Sequence, residues 1–160
     1  MSRTLFTILD IRDRTHSSLT GAITLLSNTG TPRYNIRATT TNAVLSLDFL
    51  QPPDYSQLSS LPILDIIGKT SNSPAELSLQ LPFEGSFDIS TSPNYQADFS
   101  SGSTPKGDPL GLERQRRIDL TTNTEPRKEG RVYWGDLDDG RELGRVELLT
   151  SNGQASLHIQ

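Results

Sequence analysis

The sequence predicts a single all-β domain that spans residues 1–160. Three observations support this. Apolar residues recur at every second position, which is the period of a β-strand. Asn-containing turns follow several apolar runs. No window shows the 3.6-residue period of an amphipathic helix, so we expect less than about 10% helix. A chain of 160 residues with 32% hydrophobic residues supports one domain with a thin core.

The predicted strands share one pattern, in which an apolar residue is followed at every second position by an apolar or small residue and then by Ser or Thr. The copies are Ile23-Leu25-Ser27, Ile36-Ala38-Thr40, Ile66-Gly68-Thr70, Phe87-Ile89-Thr91, Ile118-Leu120-Thr122 and Val146-Leu148-Thr150. A slip of one residue would turn every side chain to the opposite face, so the shared phase indicates equivalent packing. The Thr of each copy is in phase with the apolar residues, and we expect it to face inward near a corner.

Three copies continue into an Asn turn and a second alternating strand. The turns are Thr41-Asn42-Ala43, Ser71-Asn72-Ser73 and Ser151-Asn152-Gly153, and the strands are Leu45-Leu47-Phe49, Ala75-Leu77-Leu79 and Ala155-Leu157-Ile159. Asn suits a tight corner because it tolerates a left-handed backbone and bonds to its own main chain. The turn is degraded at Ser92-Pro93-Asn94 and at Asn123-Thr124-Glu125.

This pattern favours a β-solenoid-like stack of short repeat strands with two long loops, at 51–62 and 100–117. A β-sandwich is the alternative, because the copies are irregularly spaced. Parallel, in-register pairing of neighbouring copies would favour the solenoid, and an antiparallel meander would favour the sandwich. The predicted core is Ile36, Leu45, Leu47, Phe49, Ile66, Leu77, Leu79, Phe87, Ile89, Ile118, Leu120, Val146, Leu148, Leu157 and Ile159.

Composition and motifs argue against several classes of function. The absence of cysteine excludes disulfides, thiolate nucleophiles and Cys-ligated metals. A net charge of −4 and a pI of about 5.1 argue against nucleic acid or an anionic membrane as partner. The apolar run Leu5–Leu9 is too short for a signal peptide or a membrane span, so a cytoplasmic location is favoured. No Gly-rich phosphate loop, dinucleotide fingerprint or spaced His pair is present, so we assign no catalytic residue, cofactor or metal.

The best candidate ligand site combines the segment 131–142 with the loop 106–117. Adjacent aromatic residues on a strand point to opposite faces, so one should pack inside, more plausibly the Trp, and the other should be free to stack on a sugar. Arginines suit anionic groups, and aspartates suit hydroxyls or a cation. The candidate residues are Tyr133, Trp134, Arg116, Arg117, Asp136 and Asp138. The competing interpretation is an ordinary charged hairpin with an Asp-Gly turn, because Gly140 falls one place early for a calcium loop.

Three stretches carry a resemblance to known families. They are Lys69 through Phe87, which includes Leu81-Pro82-Phe83-Glu84-Gly85, then Arg131-Val132-Tyr133-Trp134-Gly135-Asp136, and the repeat from Val146 to Ile159. Together they resemble an uncharacterised fungal family of Thr-Ser-Asn repeat β domains, and more distantly the bacterial putative-adhesin repeat domains, over residues 20–160. The resemblance implies a repetitive β fold, and it supplies neither an established activity nor a catalytic motif; the adhesin label rests on analogy.

Three functions follow as hypotheses. The first is a non-catalytic binding or adhesion-type module that recognises a polar or carbohydrate-like ligand. The second is an enzyme whose active site is built from the 100–117 and 131–142 loops, since long loops often carry function. The third is a self-associating structural protein that forms homo-oligomers through exposed strand edges.

Overall fold

Twelve β-strands and no helix are present in the residues that the computed structural model describes, which are 6–12, 18–25, 32–50, 60–80, 82–102, 107–136 and 141–160. The strands are β1 (Phe6–Arg12), β2 (Leu19–Thr24), β3 (Arg33–Thr39), β4 (Leu45–Leu50), β5 (Ile63–Thr70), β6 (Ala75–Leu79), β7 (Gly85–Ser90), β8 (Ala97–Ser101), β9 (Arg116–Asn123), β10 (Arg127–Trp134), β11 (Gly144–Thr150) and β12 (Ala155–Ile159). The prediction of an all-β chain is confirmed.

The strands form two open sheets. The large sheet has seven strands in the order β1-β3-β5-β11-β7-β10-β9, and the small sheet has five in the order β2-β4-β6-β12-β8. All neighbours are parallel except β7, β10 and β9, where β10 runs antiparallel to both partners. Each Asn turn carries the chain from a strand of the large sheet to a strand of the small sheet.

Four of the predicted copies lie side by side in the large sheet. Ile66 is opposite both Ile36 and Val146, and Val146 is opposite Phe87. The other two copies are placed differently from the prediction. Ile23 lies in the small sheet opposite Phe49, so its segment is a second strand of the unit rather than a first.

The copy at Ile118-Leu120-Thr122 forms β9, the antiparallel edge strand of the large sheet. Leu120 is 45% exposed and Ile118 is only partly buried, so the prediction that both belong to the core is wrong. Both residues are less buried because β9 is an edge strand, which has a neighbouring strand on one side only.

The core fills the space between the two sheets. All the other predicted core residues are buried, and the Phe87 and Phe99 rings stack with their centroids 4.3 Å apart. The alternation of buried and outward residues in β4, β6 and β12 follows the sequence pattern residue by residue. For these three strands the sequence therefore predicts which face is covered.

The last unit of the chain, β11 and β12, lies in the middle of both sheets. It is inserted between β5–β6 and β7–β8 rather than added at the end of the stack. Two glycines permit the close approach: a Cβ at Gly85 would lie 2.3 Å from the Gly144 carbonyl oxygen, and one at Gly144 would lie 2.5 Å from that of Leu64. Side chains at these two positions would force the three strands apart.

The corners are joined by a ladder of Asn side chains. Asn72 Nδ2 donates to Asn42 Oδ1 at 2.7 Å, and Asn152 Nδ2 donates to Asn72 Oδ1 at 2.8 Å. Beneath the ladder, Thr40 and Thr150 are buried and donate to main-chain carbonyl oxygens at 2.7 and 3.0 Å, respectively. The expectation that the repeat Thr faces inward near a corner is thus confirmed at these corners.

Replacing Asn72 by alanine removes both bonds of the ladder, and we expect the free energy of unfolding to fall by about 1 kcal/mol. Urea denaturation would measure this. The matched control is Asn123→Ala on the edge strand β9, where Asn123 Oδ1 accepts one exposed bond from Lys128 at 2.7 Å. The control should change the free energy by less than about 0.5 kcal/mol. Equal effects of the two variants would show that the ladder adds nothing to stability.

Candidate functional site

The two segments that the sequence singles out, 107–117 and the end of β10, meet at the start of β7. The Gly135 amide donates to the Gln115 carbonyl oxygen at 2.9 Å, and Gly135 has a φ of 79°, a conformation that favours glycine. The meeting point is a group of residues around two buried carboxylates. We call it the Glu84 cluster: Glu84, Asp108, Arg114, Trp134 and Arg141.

Glu84 is 7% exposed and lies immediately before β7. Its Oε1 accepts from the Trp134 amide at 2.9 Å, and both of its oxygens lie 2.8 Å from Arg141 Nη1. Arg114 Nη1 adds an ion pair at 3.6 Å. A buried carboxylate is costly unless it is paired and hydrogen-bonded, so these contacts hold the charge in place.

Asp108 fixes the loop from the other side. Its side chain is 1% exposed and accepts from the Leu110 and Arg114 amides at 3.0 and 3.1 Å. The Arg114 guanidinium donates to both carboxylate oxygens at 2.8 and 2.9 Å. These hydrogen bonds hold the pKa of Asp108 well below its usual range, and the largest effect comes from the Arg114 side chain.

The lowered pKa of Asp108 predicts acid sensitivity. The unfolded chain has an ordinary Asp pKa near 3.9, so the contribution of Asp108 is complete above that pH and is lost as the pH falls through the lower folded pKa. We expect the free energy of unfolding to decline below about pH 4, and to decline less in Asp108→Asn. Chemical denaturation at a series of pH values measures this. Asp136→Asn, at an exposed carboxylate, is the control, and its free energy of unfolding should decline with pH as in the wild type. If the free energy of Asp108→Asn declines in parallel with that of the wild type, Asp108 is not the source of the acid sensitivity.

Both aromatic candidates are buried. Trp134 is 5% exposed and packs against Leu61 and Leu110, as the predicted core role requires. Tyr133 is 6% exposed, and its hydroxyl donates to Asp119 Oδ2 at 2.7 Å, which raises its pKa. The expectation that one ring faces outward is wrong, because the neighbouring strand β9 places Asp119 and Arg117 beside Tyr133.

Of the four charged candidates, the fold brings Arg117 and Asp136 together. Arg116 is half-buried, which lowers its pKa, and its Nη2 lies 3.4 Å from the Ile159 carbonyl oxygen. Arg117 and Asp136 are exposed and lie 3.9 Å apart. Asp138 lies outside the described residues. The interpretation of the 131–142 segment as a hairpin is also wrong, because β7 separates β10 from β11 in the sheet.

Glu84, at the centre of the cluster, is not among the residues that the sequence predicts for the site. Glu84 stands in the Leu-Pro-Phe-Glu-Gly stretch, and the partners Arg114 and Arg141 are far away along the chain. The available signal was that Glu84 is the single charged residue between Leu77 and Phe87, since a carboxylate that is buried among apolar residues requires partners. The cluster's ionic groups are paired with one another, which suits a structural lock. Among the described residues there is no group of His, Asp and Glu side chains arranged to hold a metal.

A different surface is the outer face of the small sheet, which we call the hydroxyl face. Its side chains point away from the core in two registered rows: Thr20, Ser46, Glu76, Ser156 and Asp98, then Ala22, Asp48, Ser78, His158 and Ser100. The five strands of this sheet carry no Lys or Arg. Within it, Ser100 Oγ and His158 Nδ1 are 2.8 Å apart, and Gln154 Nε2 donates to Asp98 Oδ2 at 2.5 Å.

The outer face of the large sheet is chemically different. Its carboxylates are paired with basic residues on neighbouring strands, in Arg33–Asp65 at 2.9 Å, Lys69–Glu147 at 3.2 Å and Arg127–Asp88 at 2.9 Å. The acidic groups of the hydroxyl face have no such cationic neighbours on their own strands. The two faces of the molecule are therefore suited to different contacts.

Comparisons with protein-family models, with curated proteins and with solved structures give no match. The resemblance to the fungal and adhesin repeat domains stays a prediction. In the part of the chain that the structure describes, no helix has the length and apolar character needed to cross a membrane.

Proposed function

We propose that the chain is a non-catalytic β-repeat binding module whose hydroxyl face recognises a polyhydroxylated, carbohydrate-like ligand. The observation that carries this proposal is the pair of registered rows on the small sheet, which present hydroxyl, carboxylate and imidazole groups without Lys or Arg. Neighbouring strands repeat such groups about every 4.8 Å. Sugar hydroxyls both donate and accept hydrogen bonds, and this face offers both kinds of partner.

The buried layer beneath the face supports the same proposal. The residues directly beneath it, among them Leu47, Leu77 and Leu157, are buried at 2% exposure or less. Ser, Thr and Asp side chains have few rotatable bonds, so little conformational entropy is lost when a ligand orders them. A preorganised surface binds at a lower cost than one that must be ordered.

The architecture within this proposal is a β-solenoid-like stack. Its support is the parallel register of β3, β5, β11 and β7, together with corners that lead each of these strands into the small sheet. Stacked repeats build extended, regular binding surfaces of this kind. The chain departs from a simple coil because its last unit lies inside the stack.

A glycan array with labelled protein tests the function. We expect binding to a defined subset of glycans, and we expect Ser156→Lys, at the centre of the hydroxyl face, to weaken it at least tenfold, about 1.4 kcal/mol. Ser90→Lys is the matched control, because Ser90 is equally half-buried on the outer face of the large sheet. Both variants must retain the wild-type urea midpoint. Failure to bind any glycan, or equal binding by both variants, would overturn the proposal.

Exposed strand edges favour self-association as a second function. Ile8 on the edge strand β1 is 77% exposed, and Leu120 on the opposite edge strand β9 is exposed too. Both edges run in the same direction, so copies can add head to tail. Light scattering over a concentration series should show growth for wild type and less for Ile8→Lys; a constant monomer mass would rule it out.

A further inference from the structure

We propose that the terminal unit, residues 144–159, is exchanged between two copies of this chain. In the exchanged dimer, β11 and β12 of each copy fill the slot between β5–β6 and β7–β8 of the other. The inference concerns a protein partner and is independent of the ligand proposed above. Three features of the fold carry it.

The first feature is the mismatch between chain order and spatial order. β8 ends at Ser101 and β11 begins at Gly144, yet β11 lies between β5 and β7, and β12 lies between β6 and β8. Every strand that pairs with the terminal unit therefore precedes it in the chain. Until the unit is inserted, the facing edges of β5 and β7 lack their ladder partner, and such open edges accept a matching strand from another copy.

The second feature is that every copy of the chain offers the terminal unit the same packing contacts and hydrogen bonds. Val146, Leu148, Leu157 and Ile159 are each at most 1% exposed between the neighbouring strands. The corner adds the hydrogen bond from Asn152 to Asn72 at 2.8 Å. A second copy offers the same slot, so exchange preserves these ladders, packing contacts and corner bonds.

The third feature is a connection long enough to open. Val132 near the end of β10 and Gly144 at the start of β11 both lie opposite Gly85, on the two sides of β7. The six residues between Trp134 and Arg141 reach about 20 Å when extended, which lets the unit, together with Arg141 and Glu142, leave its own slot for that of a neighbour. Arg141 pairs with Glu84 and Glu142 pairs with Arg33, and both pairs can re-form across the dimer.

Cysteine cross-linking tests the exchange cleanly, because the natural chain has no cysteine. Lys69 on β5 and Leu149 on β11 are register partners on the outer face. Neighbouring strands lie about 4.8 Å apart, which is within the Cα separations that a disulfide bridges. Lys69→Cys and Leu149→Cys chains are unfolded together, refolded at high protein concentration and then oxidised. We expect a covalent dimer whose disulfide joins position 69 of one chain to position 149 of the other, in an amount that falls at low concentration.

Two controls define the outcome. The double variant Lys69→Cys/Leu149→Cys should close its disulfide within one chain at low concentration, which shows that the pair is competent. A mixture of Lys69→Cys and Ser90→Cys chains should give no specific cross-link, because β11 separates β5 from β7. If only monomers form, the exchange proposal is wrong. If dimers form without the 69–149 disulfide, the exchange proposal is also wrong, and the association is assigned to the outer strand edges.

Discussion

Replacing Leu79 by alanine is expected to lower the free energy of unfolding by about 2 to 5 kcal/mol. Leu79 is fully buried on β6, where it lies opposite Phe49 of β4 and Ile159 of β12. Both neighbours are held by their own backbone ladders, so they cannot move far into the space that the side chain leaves. The loss therefore includes the transfer energy of the deleted methyl groups and the cost of a persistent cavity.

Leu112→Ala is the matched control, since the same atoms are removed from a side chain that is 63% exposed. Urea denaturation should show a large fall in midpoint for Leu79→Ala at an unchanged slope, and a change below about 0.5 kcal/mol for Leu112→Ala. Similar midpoints for the two variants would mean that the inward face of β6 is assigned incorrectly.

The burial of Leu79 illustrates what local sequence can predict. Alternation at Leu77 and Leu79 determines both the strand and its inward face, because a strand places successive side chains on opposite sides. The Asn turn determines where the chain leaves one sheet for the other, and Asn42, Asn72 and Asn152 are brought into one ladder. The strand, its inward face and the turn depend on residues within one unit, so one unit's sequence suffices to predict them, whereas the ladder joins three units.

The order of the units depends on long-range choices that alternation does not encode. All copies present the same apolar phase, so the pattern at Val146 fits beside Ile66 or Phe87 as well as at the end of the stack. The decisive contacts are specific glycines: Gly85 and Gly144 allow the close approach that places β11 between β5 and β7. The exposure of Leu120 likewise depends on long-range placement: the sequence around it matches the copies that form the core, but its strand lies at the edge of the sheet.

In the candidate site too, local sequence predicts some features, and long-range contacts determine the others. The sequence correctly directs attention to two segments that meet, but the residue on which they converge, Glu84, belongs to a third segment. Adjacent Tyr133 and Trp134 were expected to leave one ring free because strands alternate. Alternation within β10 does not account for the neighbouring strand β9. There the Asp119 carboxylate accepts a hydrogen bond from the Tyr133 hydroxyl at 2.7 Å.

Glu84→Ala is expected to lower the free energy of unfolding by about 3 kcal/mol. The variant removes the carboxylate that accepts from the Trp134 amide and that neutralises Arg141, and it weakens the hold on Arg114. Truncating one partner of a buried pair is costly because the remaining charge stays in a low-dielectric site. Glu84→Gln should lie between wild type and Glu84→Ala, since the amide oxygen still accepts from Trp134 but the charge is lost.

Glu142→Ala is the control for Glu84→Ala, because Glu142 is 62% exposed and pairs with Arg33 at the surface. It should cost less than about 1 kcal/mol, as exposed ion pairs do. Trp134 is the sole tryptophan, so its fluorescence reports directly on the cluster. Native Glu84→Ala should emit at longer wavelength than wild type, because the segment that covers the indole loses its anchor. If Glu84→Ala unfolds at the same urea concentration as Glu142→Ala and keeps the wild-type emission, the cluster does not lock the 107–117 loop to β7, and the connection to β11 is held by the strand ladders alone.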